Sequence, residues 1–341
     1  MLIAYVRKRR KRPELSELIE GINEGNRVRL SQAITLVESQ LAEDQELAAQ
    51  LMEYCTPRSG NSYRIGISGV PGVGKSTFID AFGTHLINQG HKIAVLAIDP
   101  SSTLTKGSIL GDKTRMQRIS LHADAFIRPS PTAGSLGGVA RKTREAILLC
   151  EAAGYEIILV ETVGVGQSEI TVSSMVDFFL LLMLPNAGDD LQGIKKGIME
   201  IADGILINKA DGAFLPKARA AKTYYSQALR LFSQKSEFPV EIKLVSALEE
   251  EGLGDVWDML HRYQQTAQQE QLWQAKRQEQ ALFWMQESIS AYLQDQFQKN
   301  EVVRTHKESL SQEVMQQKLS PIQAAKRLIK IWEEENRGRK A

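Results

Sequence analysis

Gly69-Val70-Pro71-Gly72-Val73-Gly74-Lys75-Ser76 matches the pattern G-x4-G-K-[ST] at every position. Glycines at this spacing let backbone N–H groups approach a polyphosphate, and a helix that starts at the lysine adds partial positive charge there. Lys75 is placed to neutralise β- and γ-phosphates and Ser76 to ligate Mg²⁺, while Gly72, Val73, Gly74 and Thr77 complete the cradle. Asn208-Lys209-Ala210-Asp211 matches N-K-x-D. A carboxylate at Asp211 accepts from both N1–H and the N2 amine of guanine, whereas adenine offers an acceptor at N1 and leaves the carboxylate repelled. A charge-assisted pair of that kind discriminates by roughly 2–4 kcal/mol. Ser246-Ala247-Leu248 stands after another strand-like run, where an S-A-x element contributes a backbone N–H to guanine O6. The three motifs together specify GTP rather than ATP.

Glu161-Thr162-Val163-Gly164 follows an apolar run and stands where a D-x-x-G element belongs. Glu161 would hold Mg²⁺ through water, and the Gly164 N–H could sense a γ-phosphate. Val165 occupies the place of a water-positioning glutamine, and the nearest glutamine, Gln167, comes two positions late. Slow intrinsic hydrolysis, raised by a partner, is the expectation. Asp99-Pro100-Ser101-Ser102, followed by the glycine-containing stretch Gly107 to Lys113, suggests a loop whose carboxylates face the metal. The plainer reading of Asp99 is a helix cap in an ordinary βα turn.

These residues need a scaffold that brings them to one edge. Short β-rich runs supply it: Arg64–Ser68, Ile93–Ile98, Ala125–Arg128, Ile157–Val160, Phe178–Leu184, Ile205–Ile207 and Ile242–Val245. Most are separated by helix-length stretches, which predicts βαβ units and an α/β P-loop fold around a mostly parallel sheet. Each motif then sits at a strand end. Before this zone, Leu15, Leu18, Ile19 and Ile22, then Leu30, Ile34 and Val37, recur at helical spacing. After it, a Gln- and Glu-rich stretch with Leu272, Trp273, Leu282, Phe283 and Trp284 predicts long helices. The expected organisation is a helical N-terminal extension over 1–61, a GTPase domain over 62–263 and a helical C-terminal dimerisation arm over 264–341.

Composition narrows the partners. A net charge of +1 over 341 residues gives no bulk case for nucleic acid or an anionic membrane. The exception is Arg7 to Arg12, which reads as a solvated terminal run with a targeting or phosphate-contacting arm as the alternative. No apolar run is long enough for a membrane helix. Met1–Val6 is too short for a secretory signal, and the basic run follows it. Cys55 and Cys150 have no metal or disulfide spacing, and the five histidines are scattered. A reducing compartment is expected, the cytoplasm or the mitochondrial matrix of a eukaryote.

The stretches Gly107–Met116, Leu148–Tyr155, Val160–Glu169 and Asp189–Gly197, together with Asp99–Ser102, resemble the methylmalonyl-CoA mutase-associated GTPase chaperones, a SIMIBI-class family that carries an older transport-kinase label. The resemblance covers residues 15–330, with Lys106 standing where glycine is expected. It implies a homodimer that serves an adenosylcobalamin-dependent acyl-CoA mutase, gating cofactor loading and protecting the mutase; the adenosylcobalamin belongs to that partner. It places Lys75, Ser76, Asp99, Asp112 and Glu161 at the phosphate and Mg²⁺ site, with Ser76, Asp99, Asp112 and Glu161 around the metal. It places Asn208, Lys209, Asp211 and Ser246 at the base, and Asp189–Lys196 on a loop that couples nucleotide state to the partner. Lys195 joins Lys75, Asp99 and Glu161 in the candidate catalytic set. Two cations, Lys195 and Lys196, at a helix start oppose the helix dipole, which favours a functional role. Competing readings are a nickel-insertion GTPase, disfavoured without a histidine- or cysteine-rich cluster, a transport-linked kinase, disfavoured by N-K-x-D, and a GTP-binding scaffold without hydrolysis.

Overall fold

The computed structural model describes residues 12–99, 116–131, 136–162, 168–185, 196–232 and 238–338. Among them, parallel strands β1 (Tyr63–Gly69), β2 (Ile93–Asp99), β3 (Ala125–Pro131), β4 (Ile157–Thr162), β5 (Phe178–Met183), β6 (Gly204–Ile207) and β7 (Glu241–Leu244) form one sheet in the order β3-β2-β4-β1-β5-β6-β7. All seven expected strands are present. The sheet is wholly parallel, so helices must cross over and cover both faces. Accordingly β1, β4 and β5 are buried at every residue. β5 and the Ile157–Val160 part of β4 read as continuous apolar runs rather than alternations for that reason.

The helices in chain order are α1 (Leu15–Asn23), α2 (Arg27–Glu38), α3 (Ala42–Cys55), α4 (Lys75–Asn88), α5 (Gln117–Leu121), α6 (Leu136–Ala152), α7 (Ser168–Ser173), α8 (Lys196–Glu200), α9 (Leu215–Phe232), α10 (Leu253–Gln269), α11 (Leu272–Lys299), α12 (Glu301–Met315) and α13 (Pro321–Gly338). The chain divides into two compact units, residues 1–280 and 281–341. In the first, α4 and α10 bury Phe78, Phe82, Val256 and Leu260 in the core that also takes the β1 and β5 side chains Ile65, Ile67, Phe178 and Leu180. Helices α1 to α3 pack on one another, and α2 and α3 pack on α6. Asn26 caps α2 by accepting from Val28 N at 3.0 Å and Arg29 N at 3.2 Å. In the second unit, Leu310, Leu319 and Ala324 of the α12–α13 hairpin are buried together, and Phe297 meets Trp332 edge-on at 5.8 Å.

Buried ions tie the amino ends of the strands. Arg64 Nε and Nη2 donate to the two Glu151 oxygens at 2.8 and 2.9 Å, and Glu151 also accepts from Ser62 Oγ and Gly60 N. Asp177, just before β5, accepts from Arg64 N at 2.8 Å and from Arg277 Nε and Nη2 at 2.7 and 2.6 Å. Lys276 Nζ donates to Asp177 O at 2.7 Å and to Asp203 Oδ2 at 3.3 Å. The start of α11 is thereby fixed beneath β1, β5 and β6. The carboxyl ends of the strands, at the opposite edge, hold the motifs.

Candidate nucleotide site

β1 ends at Gly69, and the chain turns through Gly72 (φ +79°) and Gly74 (φ +93°) into α4. L-residues pay a steric penalty in this left-handed region, which glycine avoids. At Gly74 there is a second constraint: a Cβ would lie 2.8 Å from Asn208 Nδ2. The cradle is therefore closed by the base motif itself. Val73 is buried at the loop's floor, Gly72 lies on the surface and Thr77 is exposed in the first turn of α4. Lys75 Nζ donates to Gly69 O at 2.8 Å, which holds the ammonium across the loop mouth. Burial lowers the Lys75 pKa, and the charges of Glu161 and Glu169 oppose that shift.

Glu161 lies near the end of β4, the strand that separates β1 from β2. Its Oε1 accepts from Ser76 Oγ at 3.2 Å, and one residue on Thr162 Oγ1 donates to Ser68 Oγ at 2.8 Å. A hydroxyl and a carboxylate at the head of α4, beside Lys75, are hard oxygen donors. They suit Mg²⁺, which takes one or two protein ligands and completes its shell with water and phosphate oxygens. No group of three or more His, Cys, Asp or Glu that could hold a metal alone occurs among the described residues. Asp99 closes β2 beside β4, which puts its backbone at the same edge. Asp112, Lys195, Asp189, Lys106, Gly164, Val165 and Gln167 lie outside the described residues.

The base motifs converge through one side-chain amide. Asn208 is buried; its Nδ2 donates to Val73 O at 2.8 Å and its Oδ1 accepts from Ala247 N at 3.1 Å. Three segments of the chain meet there. The Ala247 N–H, from the element expected to face guanine O6, is thus engaged by Asn208, and the Leu248 side chain is exposed. Lys209 has φ +59°, uncommon for a non-glycine residue, and its Nζ reaches Gly72 O at 2.9 Å. Asp211 Oδ2 accepts from Ser246 Oγ at 2.6 Å, which orients one edge of the carboxylate and leaves the other oxygen for a ligand N–H. The motif spacing does not reveal two contributors: Glu169, buried and acting on Lys75, and the Lys209 bridge to the phosphate loop. Only the acidic residue that opens α7 hinted at the first.

The family model described as "Methylmalonyl Co-A mutase-associated GTPase MeaB" matches residues 30–302. A probable GTPase of Mycobacterium tuberculosis is 47% identical, over 92% of this chain and 94% of that protein. The mitochondrial methylmalonic aciduria type A homolog of Mus musculus is 43% identical, over 93% of this chain and 79% of that protein. A crystal structure titled as an LAO/AO transport system kinase superposes with a TM-score of 0.74 at 36% identity, covering 94% of this chain and 97% of that one. No helix among the described residues is long and apolar enough to cross a membrane.

Proposed function

We propose, for a chain that belongs to the methylmalonyl Co-A mutase-associated GTPase family, that GTP hydrolysis here gates cofactor loading into an adenosylcobalamin-dependent acyl-CoA mutase and protects that mutase from inactivation. The observation that carries the nucleotide half of this reading is the convergence at Asn208, which locks the phosphate loop and the guanine loop into one site. Lys75 and the α4 N-terminus bind the phosphates and oppose the charge that develops on them. Ser76 and Glu161 would hold Mg²⁺, which would supply Lewis-acid stabilisation of charge on the bound phosphates. Asp211 selects guanine. Asp99, Asp112 and Lys195 are proposed to complete the metal and switch side of the site. The mutase half is supported by the family's name and by the mitochondrial relatives.

The second compact unit is proposed to pair the chain with another copy. Leu282, Met285 and Tyr292 recur on α11 at helical spacing and are 63%, 55% and 62% exposed, an apolar stripe of the kind that a partner helix covers. Light scattering of the full chain, beside a Leu282→Glu/Met285→Glu variant, tests this: a dimer that persists in the variant places the interface elsewhere.

The deciding experiment is single-turnover hydrolysis at saturating GTP with and without purified methylmalonyl-CoA mutase. The expected result is slow hydrolysis alone and a rise of at least roughly tenfold with the mutase, about 1.4 kcal/mol of barrier. Equal rates, with the complex confirmed independently, would remove the gating role and leave the GTPase.

A further inference from the structure

The carboxylate that reads guanine is held by a turn that is itself braced from a distance. Ser246, which donates to Asp211 Oδ2 at 2.6 Å, accepts from Glu249 N at 3.1 Å. Ser246 and Glu251 exchange two backbone hydrogen bonds, each 3.1 Å, and close residues 246–251 into a tight antiparallel turn. Within it Glu250 has φ +59°, and the next glycine, Gly252, has φ +77° with its missing Cβ only 2.4 Å from Leu244 O. The Glu250 side chain pairs with Arg118. Arg118 lies on α5, 132 residues earlier, and its own segment is pinned: Arg118 N and Ile119 N both donate to Asp80 Oδ1 at 3.1 Å. Asp80 belongs to α4, the helix that begins with Lys75 and Ser76. A continuous chain of contacts therefore runs from the phosphate-binding helix through Asp80, α5, Arg118 and Glu250 to Ser246 and Asp211.

We infer that Arg118 and Glu250 are positioning residues for base selection. Their ion pair braces the outer end of the 246–251 turn, and the turn sets the orientation of Asp211 through Ser246. The inference rests on Asp211 being the guanine-reading carboxylate. An exposed ion pair that served only general stability would weaken every nucleotide equally. A brace on Asp211 instead changes the ratio of GDP to IDP affinity, because inosine lacks only the 2-amino group that Asp211 accepts from.

The test is competition of GDP and IDP against a fluorescent GDP analogue on the full chain. The variants are Arg118→Ala, Glu250→Gln, the double variant and the reversed pair Arg118→Glu/Glu250→Arg. A fifth, Glu250→Gly, keeps the left-handed backbone at no steric cost and removes the brace. The GDP-to-IDP affinity ratio should fall about two- to fivefold in each single variant, the range an exposed ion pair supports. It should fall no further in the double variant and should recover in the reversed pair. A ratio unchanged in the single variants, or unrecovered in the reversed pair, overturns the brace while Asp211 keeps its role. Equal binding of GDP and IDP by the unsubstituted chain overturns the guanine reading and the brace with it.

Discussion

Lys75 and Lys276 are partly buried lysines at opposite edges of the same sheet, and their surroundings treat them differently. Burial lowers the Lys75 pKa, and its hydrogen bond runs to the carbonyl oxygen of Gly69 at 2.8 Å. Burial pulls Lys276 down as well, but Asp203, Tyr263 and Asp177 outweigh that effect and raise it. Lys209 at the carboxyl edge likewise donates to a carbonyl, Gly72 O, while Arg277 at the amino edge meets both oxygens of Asp177. At the amino edge, charge is cancelled by neighbouring charge, and the product is architecture. At the carboxyl edge, Lys75 and Lys209 instead donate to backbone carbonyl oxygens, while the charges of Glu161 and Glu169 still act on Lys75.

The sharpest way to break this contrast is to remove one charge from each edge. Asp177→Ala should cost about 3–5 kcal/mol of stability, because the buried Arg277 guanidinium loses its charge partner, keeping only the Gly60 and Ser62 carbonyl oxygens, and the Arg64 N–H loses its acceptor. Urea denaturation measures it, and a loss under about 1 kcal/mol would show that the amino edge is not cemented by charge. Lys75→Ala should leave the denaturation midpoint nearly unchanged and lower the single-turnover rate by about 10²–10³-fold, the range for deleting one preorganised donor to a developing anion. A large stability loss there would make Lys75 architectural as well.

Two further measurements refine the comparison. Asp211→Asn should weaken GDP by about 2–4 kcal/mol and favour XDP, whose C2 carbonyl accepts from an amide. Unchanged GDP affinity would remove Asp211 from the base site. The smallest effect concerns pH. Burial acts to raise the Glu151 pKa, but the hydrogen bonds and charge of Arg64, with Ser62 and Gly60, bring it below the usual 4.5. A carboxylate lowered on folding contributes stability that is present above its unfolded value and lost as pH falls through its folded one. Stability should therefore decline below about pH 4.5, and Glu151→Gln should flatten that acid limb in thermal melts.

The carboxyl edge was far more legible in the sequence than the amino edge. G-x4-G-K-[ST] and N-K-x-D are local patterns in which spacing alone determines geometry, and each of the seven strand runs carries its own apolar signal. The amino edge has no such pattern. Arg277 meets Asp177 across 100 residues and Arg64 meets Glu151 across 87, so only the packing of α11 and α6 against the strand ends brings the partners together. Single charged residues beside apolar runs look like ordinary solvated ends. The Arg118–Glu250 pair was hidden for the same reason. Asp99 shows the smaller failure of boundaries: the strand extends through it because pairing to β3 continues to Pro131, beyond the end of the apolar run.

The amide of Asn208 also bears on how mutations in this chain will be classified. Because Asn208 Nδ2 stands where a Gly74 side chain would begin, and Asn208 Oδ1 accepts from Ala247 N, lesions at positions 74, 208 and 247 disturb one shared object. A genetic screen that sorts alleles into phosphate defects and base defects will find Gly74→Ala in both bins. Suppressors of such an allele should arise at the other two positions, far along the chain, rather than among the glycines beside it.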